Sequence, residues 1–507
     1  MNRPALSIVV GVLCLLPCAL TDPRPDFGVQ PKIPASDSVN TSFVDAFGQL
    51  NDVLDPPINT TLQIDNAKLK VVYKAIQEVQ GRFKTFSSAL KYEELFTTDN
   101  GTTLAFANVI SPLTAMFNYL LITFATTVTT PLDEIGFFGI VDELADEFVR
   151  FGGGLPLLAS QLQGLKESLA KAVLDNGNST VMTVEFLGKY VKSAAVYKVA
   201  RAIRNLEAYT PVITYTLDTV YENLLEADRF IDELQAEVNN FANSNGSEYT
   251  DAYKLSSDAV ELKASSGVAV NLNVSSNLNT ALSGNAKFTA TSNASTILGK
   301  LDALAKKDTS VGDGLLQTEF NATLAAIKSL VGSKTANVNV TTDPTVQALI
   351  DVLMGNNKGF GRYCYHKYKD LFSNLFDNGV NSGFECVDKE TERLVNLQDI
   401  IVELLVQINY DLEGISEQIS LCTALSPAPL IDSCVAAISS YYVDLFVAME
   451  QKINTLYTFV TREAIASRSR LLICFELSYY QVAAVDATMI TNNVQACARD
   501  GPSGTEE

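Results

Sequence analysis

Residues 394–422 read LVNLQDIIVELLVQINYDLEGISEQISLC, and their apolar side chains recur every three or four positions. This spacing places the apolar side chains on one face of an α-helix, over about eight turns. The members of this stripe are Leu394, Leu397, Ile401, Leu404, Ile408, Leu412, Ile415, Ile419 and Cys422. A Ser-Pro-Ala-Pro turn follows at 426–429, and a second long helix is predicted from about Asp432 to beyond Val460. The two helices indicate a long antiparallel hairpin.

Six cysteines lie in and around this hairpin, and an even number is typical of a secreted domain with disulfides. They are Cys364, Cys386, Cys422, Cys434, Cys474 and Cys497. The chain has no Cys-x-x-Cys pair, and His366 is its only histidine. The cysteines are therefore expected to form three disulfides rather than a zinc site.

The spacing of the cysteines predicts how they pair. Successive separations are 22, 36, 12, 40 and 23 residues, which is nearly palindromic about the turn at 426–429. If 387–421 is one helix, Cys386 and Cys422 lie roughly 50 Å apart at about 1.5 Å per residue and cannot bond to each other. The spacing predicts the nested set Cys422–Cys434, Cys386–Cys474 and Cys364–Cys497.

Residues 361–498 also carry short motifs around these cysteines. The motifs are Cys-Tyr-His-Lys-Tyr at 364–368, Leu-Cys-Thr at 421–423, Cys434, and Cys-Phe at 474–475. With them the segment resembles the TsetseEP-type domain of insect secreted proteins. The resemblance implies an extracellular protein linked to gut secretion or the immune response. It implies no catalytic activity and offers no site residues beyond the cysteines.

The N-terminal residues predict secretion. Residues 1–21 combine Arg3 with an apolar run at 6–16 that is too short to span a bilayer, as in a secretory signal peptide. Residues 22–36 carry four prolines and predict an extended segment, which begins a Pro-rich leader at 22–61. Nine Asn-x-Ser/Thr sequons favour an extracellular glycoprotein. They are Asn40, Asn59, Asn100, Asn178, Asn245, Asn273, Asn293, Asn321 and Asn339, and all are predicted to be exposed.

Residues 62–242 show a helical period and predict an N-terminal helical bundle. Its clearest apolar stripe, at 217–241, predicts a helix that begins near Pro211 and ends within 243–246. This stripe has heptad spacing, so an intermolecular coiled coil is the alternative to a bundle core. Residues 101–132 contain no charged side chain. They predict a buried helix pair or kinked helix, with a membrane span as the alternative.

Residues 243–345 are rich in Ser, Thr and Asn and predict a different structure. The sequence VAVNLNVS at 268–275 alternates apolar and small or polar residues, which is typical of a half-exposed strand. Asn273 and Asn339 occupy the alternate positions at which such strands carry polar, exposed side chains. We therefore expect a small β-element among short helices, with a flexible glycosylated spacer as the alternative. Residues 499–507 are expected to be a disordered tail.

Composition limits the function. The chain has 58 acidic and 37 basic residues, a net charge of −21, so nucleic acid is not expected as a partner. The glycine run at 152–154 has no following Lys-Ser/Thr, and no Gly-x-Ser-x-Gly motif occurs, so no catalytic residue, metal or cofactor is assigned.

The sequence therefore predicts a mainly α protein. Long-helix bundles are expected together with a disulfide-linked C-terminal hairpin and a small β-element. The expected function is that of a secreted acidic glycoprotein that recognises an extracellular protein or glycan without catalysis. The alternative is a carrier of lipid or another apolar ligand, with residues 101–132 lining its pocket. A membrane is not the expected partner.

Overall fold

The computed structural model describes residues 25–97, 101–244, 246–335, 338–355 and 359–502. The predicted signal peptide at 1–21, the sequons Asn100 and Asn245, and the end of the predicted tail lie outside the described residues. Within these ranges the chain is helical and has no β-strand, apart from two isolated bridges, Asp26 to Val29 and Gln30 to Val181.

The α-helices of the described residues vary from one turn to more than fourteen. They are α1 (Ser36–Asp52), α2 (Ala67–Ala89), α3 (Glu94–Thr97), α4 (Thr102–Asn118), α5 (Thr130–Glu134), α6 (Phe138–Asp175), α7 (Val184–Tyr190), α8 (Ser193–Ser244), α9 (Ser247–Ser283), α10 (Ala286–Thr289), α11 (Ala294–Ala305), α12 (Ser310–Thr335), α13 (Pro344–Gly355), α14 (Gly361–Tyr410), α15 (Ile415–Thr423), α16 (Ala428–Tyr480) and α17 (Ala487–Asp500). π-Helical segments occupy Tyr119–Thr123, Ala125–Thr129 and Gln481–Asp486, and a 3₁₀ turn occupies Val340–Thr342. The mainly α fold with long helices is confirmed.

The chain forms two compact units, and each is assembled from separate stretches of sequence. The first unit comprises Met1–Glu233, Val340–Lys369 and Thr491–Glu507, and the second comprises Leu234–Asn339 and Asp370–Ile490. The domains predicted from the sequence at 62–242, 243–345 and 361–498 are continuous stretches, so their limits differ from those of the units.

In the first unit, α4 packs along α6, and α2 packs against α4. The aromatic rings of Phe83 and Phe151 lie 5.4 Å apart in this core. The uncharged segment 101–132 forms α4, two π-helical segments and the start of α5. One of its faces is buried as predicted, but Leu121 and Ile122 are 67% and 69% exposed.

Two helical stretches of the described chain are long and apolar enough to cross a membrane. They are Thr102–Thr123 and Ala428–Asp500. Core helices of soluble proteins have the same length and composition, so this feature does not distinguish the two environments. Membrane insertion stays the alternative reading of residues 101–132.

Two features of the N-terminal half were not predicted. Within the leader at 22–61, α1 begins at Ser36, after the last of the four clustered prolines, and buries Val39 and Phe43. Helix α8 ends as predicted but begins at Ser193, so Pro211 lies inside it. Packing of Val199 and Ile203, which are buried before the proline, outweighs the cost of about 3 kcal/mol that proline adds inside a helix.

The second unit contains the predicted hairpin. Its two long helices are α14, from Asp370 onward, and α16, and α12 packs along α16. The stripe at 394–422 is divided between α14 and α15 by a turn at 411–414, whose last residue, Gly414, precedes α15 with a left-handed backbone and a φ of +71°. Ile401, Ile408 and Ile453 are among the fully buried residues of this core.

All three predicted disulfides form. The Cα atoms are 5.5 Å apart in Cys422–Cys434 and 5.8 Å apart in Cys386–Cys474, which shows that the two helices run antiparallel. Both of these disulfides belong to the second unit. Cys364–Cys497, also with a Cα separation of 5.8 Å, belongs to the first.

The predicted β-element is wrong. Residues 268–275 lie inside helix α9, and the faint alternations near Phe288 and near residue 336 do not form strands in the described residues. The buried residues of this part of α9 are Ala264, Val268, Asn271 and Ser275, which recur every three or four positions. A helix thus buries small and polar side chains here, while Val270 is exposed.

Candidate functional site

The predicted site residues are cysteines and sequon asparagines, and the structure describes most of them. The cysteines are engaged in the three disulfides. Among the described sequons, six asparagine side chains are exposed and Asn293 is half-buried. The exposed ones are Asn40, Asn59, Asn178, Asn273, Asn321 and Asn339. Glycosylation itself stays a prediction.

Residues able to perform chemistry do not cluster in the described part of the chain. No group of three or more His, Cys, Asp and Glu side chains is placed to hold a metal ion there. His366 is about half-exposed, and its Nδ1 lies 3.3 Å from a carboxylate oxygen of Glu226. This contact joins α14 to α8 within the first unit.

The strongest candidate for a binding site is an apolar pocket of about 220 Å³ in the second unit. Five helical elements line it, namely α8, α9, α12, α14 and the end of α16 with the π-helical segment after it. The lining residues are Val238, Phe241, Tyr249, Leu330, Val331, Lys334, Thr335, Val338, Leu375, Phe376, Gly379, Val380, Gly383, Phe475, Ser478, Tyr479, Val482 and Ala483.

Aromatic rings make up much of the pocket wall. The ring of Phe241 lies 5.7 Å from that of Phe376 and 6.1 Å from that of Tyr249, both edge-on. The ring of Tyr249 lies 5.2 Å from that of Phe475. These contacts pack the rings against one another, so the wall offers apolar faces to a ligand.

Two glycines of α14 shape the pocket in different ways. A Cβ atom at Gly383 would lie 2.6 Å from the hydroxyl oxygen of Tyr249, so only glycine lets that ring lie against the helix. A Cβ at Gly379 would instead make an ordinary contact, 3.7 Å from a methyl group of Val482. Position 379 thus admits a side chain, and that side chain would occupy part of the cavity.

The polar groups inside the pocket are already hydrogen-bonded within the protein. The Tyr249 hydroxyl donates to the Val380 carbonyl oxygen at 3.0 Å, and the Thr335 hydroxyl donates to the Val331 carbonyl at 3.0 Å. Burial, with a smaller effect of the nearby Glu248 carboxylate, raises the pKa of Tyr249 to about 12. Tyr249 is therefore neutral at physiological pH, and the interior of the pocket carries no charge from it.

One charge lies among the residues that line the pocket. The ammonium group of Lys334 is 2.8 Å from a carboxylate oxygen of Glu476 and 4.4 Å from the centre of the Tyr479 ring. The side chains of Lys334 and Glu476 are 31% and 50% exposed, so this ion pair faces solvent. It marks the mouth of the pocket.

The π-helical segment Gln481–Asp486 contributes Val482 and Ala483 to the same pocket. π-Helical turns are rare and occur often at functional sites. Here the widened turn directly follows Tyr480, the last residue of α16, and has no buried residue of its own. It forms one side of the pocket rather than part of the core.

Two larger clefts in the second unit lack these features. One, of about 740 Å³, lies between α14 and α16 and includes Ile400 and Phe459, which are themselves well exposed. The other, of about 460 Å³, is bordered by charged side chains such as Lys307 and Arg462. Neither combines an aromatic wall with internally bonded polar groups.

Comparison with known proteins adds no assignment: no family model matches the chain, and no curated protein or solved structure is similar to it. The site must therefore be argued from its own geometry. Sequence reasoning did not find the pocket, because its lining residues come from five separated stretches. The glycines at 379 and 383, inside an otherwise helical pattern, were the signal that could have indicated a close approach.

Proposed function

We propose that this chain is an extracellular, non-catalytic binding protein that carries a small apolar ligand in the pocket of its second unit. The observation that carries the proposal is a 220 Å³ cavity with an aromatic wall whose inner polar groups are bonded within the protein. Apolar pockets with a few polar groups are the usual form of small-molecule sites.

The volume of the pocket limits the size of the ligand. A dry apolar cavity of about 150 Å³ binds benzene, and drug-sized ligands occupy about 300–1,000 Å³. A cavity of about 220 Å³ lies between these sizes. The proposed ligand is therefore a short alkyl or single-ring compound, which is smaller than a phospholipid.

Three disulfides support the extracellular part of the proposal, because disulfides persist in oxidising compartments. The resemblance of 361–498 to the TsetseEP-type domain, with its link to gut secretion and immunity, belongs to the same proposal. Recognition of an extracellular protein or glycan by the outer surface stays the broader prediction. Binding of an apolar ligand is its more specific form.

The proposal is tested with octan-1-ol as the probe, titrated into the full disulfide-bonded chain by isothermal calorimetry. Gly379→Leu places a side chain in the pocket and should weaken binding at least about tenfold. Because leucine favours a helix over glycine by up to about 1 kcal/mol, the variant should fold as well as the wild type.

Gly314→Leu is the matched control. Gly314 is an exposed glycine of α12 in the same unit, and a Cβ there would meet no atom within 4 Å. This variant should bind octan-1-ol like the wild type. Absence of binding by the wild type, or equal binding by the Gly379→Leu variant, would contradict the proposal.

A further inference from the structure

Among the described residues that line the pocket, Lys334 is the only charged one, and it lies at the mouth. We propose that the pocket takes an amphiphile with a short apolar body and one carboxylate head group, which the Lys334 ammonium binds. This inference rests on the proposed function and adds the chemical class of the ligand.

The ion pair between Lys334 and Glu476 at the mouth can be replaced by an ion pair between Lys334 and a ligand. Lys334 is held by Glu476, whose side chain is half-exposed and does not line the pocket. Glu476 can return to water at little cost, because a solvent-exposed ion pair contributes little to stability. A carboxylate carried by a ligand can then take the place of the Glu476 carboxylate without leaving a buried charge unpaired.

The charge at the mouth selects among three kinds of head group. An anion gains a charge-assisted hydrogen bond from the Lys334 ammonium. A neutral alcohol gains no charged partner, and its hydroxyl finds the inner Tyr249 and Thr335 groups already donating to carbonyl oxygens. A cation would meet the ammonium at close range and be repelled.

The net charge of −21 repels anions at long range but does not decide binding at the mouth. At physiological ionic strength the interaction of exposed charges is largely screened beyond about 8 Å. A carboxylate at the pocket mouth is therefore governed by Lys334, which it touches. The ring of Tyr479 below the ammonium keeps this group in place through a cation–π contact of 4.4 Å.

The test compares octanoate with octan-1-ol, which have similar bodies and different head groups, by calorimetry at neutral pH. The wild type should bind octanoate about tenfold more tightly than octan-1-ol. Lys334→Met keeps an apolar stem and removes the charge, so the ratio of the two affinities should fall to about one. Glu476→Gln frees Lys334 from its partner and should raise the octanoate affinity about threefold.

Lys328→Met is the matched control. Lys328 is exposed, lies on the same helix α12 and does not line the pocket, so the ratio should stay near ten. Equal affinities for the two probes in the wild type, or tighter binding of octylammonium than of octanoate, would overturn the inference and leave the proposed function standing. Failure of the wild type to bind either probe would overturn both.

Discussion

Glu390 is a buried carboxylate, only 1% exposed, in the middle of α14. Its two oxygens accept hydrogen bonds from Nε and Nη2 of Arg470 at 3.0 and 2.5 Å, and one also accepts from Arg393 at 2.9 Å. The bond to Glu390 raises the pKa of Arg470, with Glu463 adding to the effect. The arginine is thus held as a cation that satisfies the buried carboxylate and joins α14 to α16.

Replacing this arginine should destabilise the second unit. Arg470→Met leaves Glu390 with only the half-exposed Arg393, and we expect a loss of about 3 kcal/mol in the free energy of unfolding, because a buried charge loses its main partner. Urea denaturation measures the loss. Lys254→Met breaks an ion pair of the same unit that is 53% and 55% exposed, and should cost less than about 1 kcal/mol. Equal losses in the two variants would contradict this account of Glu390.

The burial of Tyr253 predicts a loss of stability at alkaline pH. Its ring is fully buried, its hydroxyl lies 2.9 Å from that of Ser467, and burial raises its pKa from 10 to about 12. Between these values the unfolded chain has released the proton while the folded chain keeps it. The contribution of Tyr253 to the free energy of unfolding is therefore fully present below about pH 10 and is lost as the pH rises towards 12.

The Tyr253→Phe variant should show a shallower fall of the unfolding free energy between pH 10 and 12, measured by urea titrations at each pH. Tyr441→Phe removes the hydroxyl of a tyrosine that is 74% exposed, and should leave the slope as in the wild type. A Tyr253→Phe slope identical to that of the wild type would show that this tyrosine does not carry the alkaline loss.

At the scale of helices, the sequence predicted best where large apolar residues form the buried face. The stripe at 394–422 and the cysteine spacing predicted the hairpin and its pairing, although a turn at 411–414 divides the stripe into two helices. The sequence did not predict helix α9, because this helix packs against its neighbours through small residues. A Cβ at Gly267 would lie 2.1 Å from Leu405, so the helices approach closely there, and the apolar residues no longer mark the buried face.

The two disulfides of the hairpin should differ in what they contribute. Cys386–Cys474 spans 88 residues and Cys422–Cys434 spans 12. Because the entropy lost by the unfolded chain grows with the logarithm of the loop length, removing the longer link should cost about 2 kcal/mol more. Urea denaturation of the paired Cys→Ala variants measures the difference. A larger loss from the shorter link would rule out loop entropy as the main contribution.

At the scale of the whole molecule, the sequence predicted the mainly α fold class better than the site. Helical periodicity depends on many residues, so an error at one position does not change the fold class that it predicts. The pocket depends instead on single positions, such as Gly379 and Gly383. Their role can be recognised only once the structure places Val482 beside Gly379 and Tyr249 beside Gly383. The exposed asparagines form an intermediate case, because Asn273 is exposed on a helix although its exposure was predicted for a strand.

The last prediction concerns that asparagine. Asn273 is exposed on α9 in an Asn-Val-Ser sequon, so it should carry a glycan that Asn273→Gln removes, with the free energy of unfolding changed by less than about 0.5 kcal/mol. Intact mass before and after peptide N-glycosidase treatment of the protein, expressed through a eukaryotic secretory pathway, counts the glycans. Asn271→Gln is the control, two residues away and outside any sequon.

The side chain of Asn271 is 4% exposed and donates from Nδ2 to the carbonyl oxygens of Gly267 and Leu405. Its variant should keep every glycan yet lose about 1–3 kcal/mol, because the longer amide cannot fit the same close contact and leaves buried groups unpaired. The two neighbouring asparagines should therefore give opposite results, one in mass and the other in stability. A glycan count unchanged by Asn273→Gln would contradict glycosylation at this position, and an Asn271→Gln variant as stable as the wild type would contradict the close contact of Asn271.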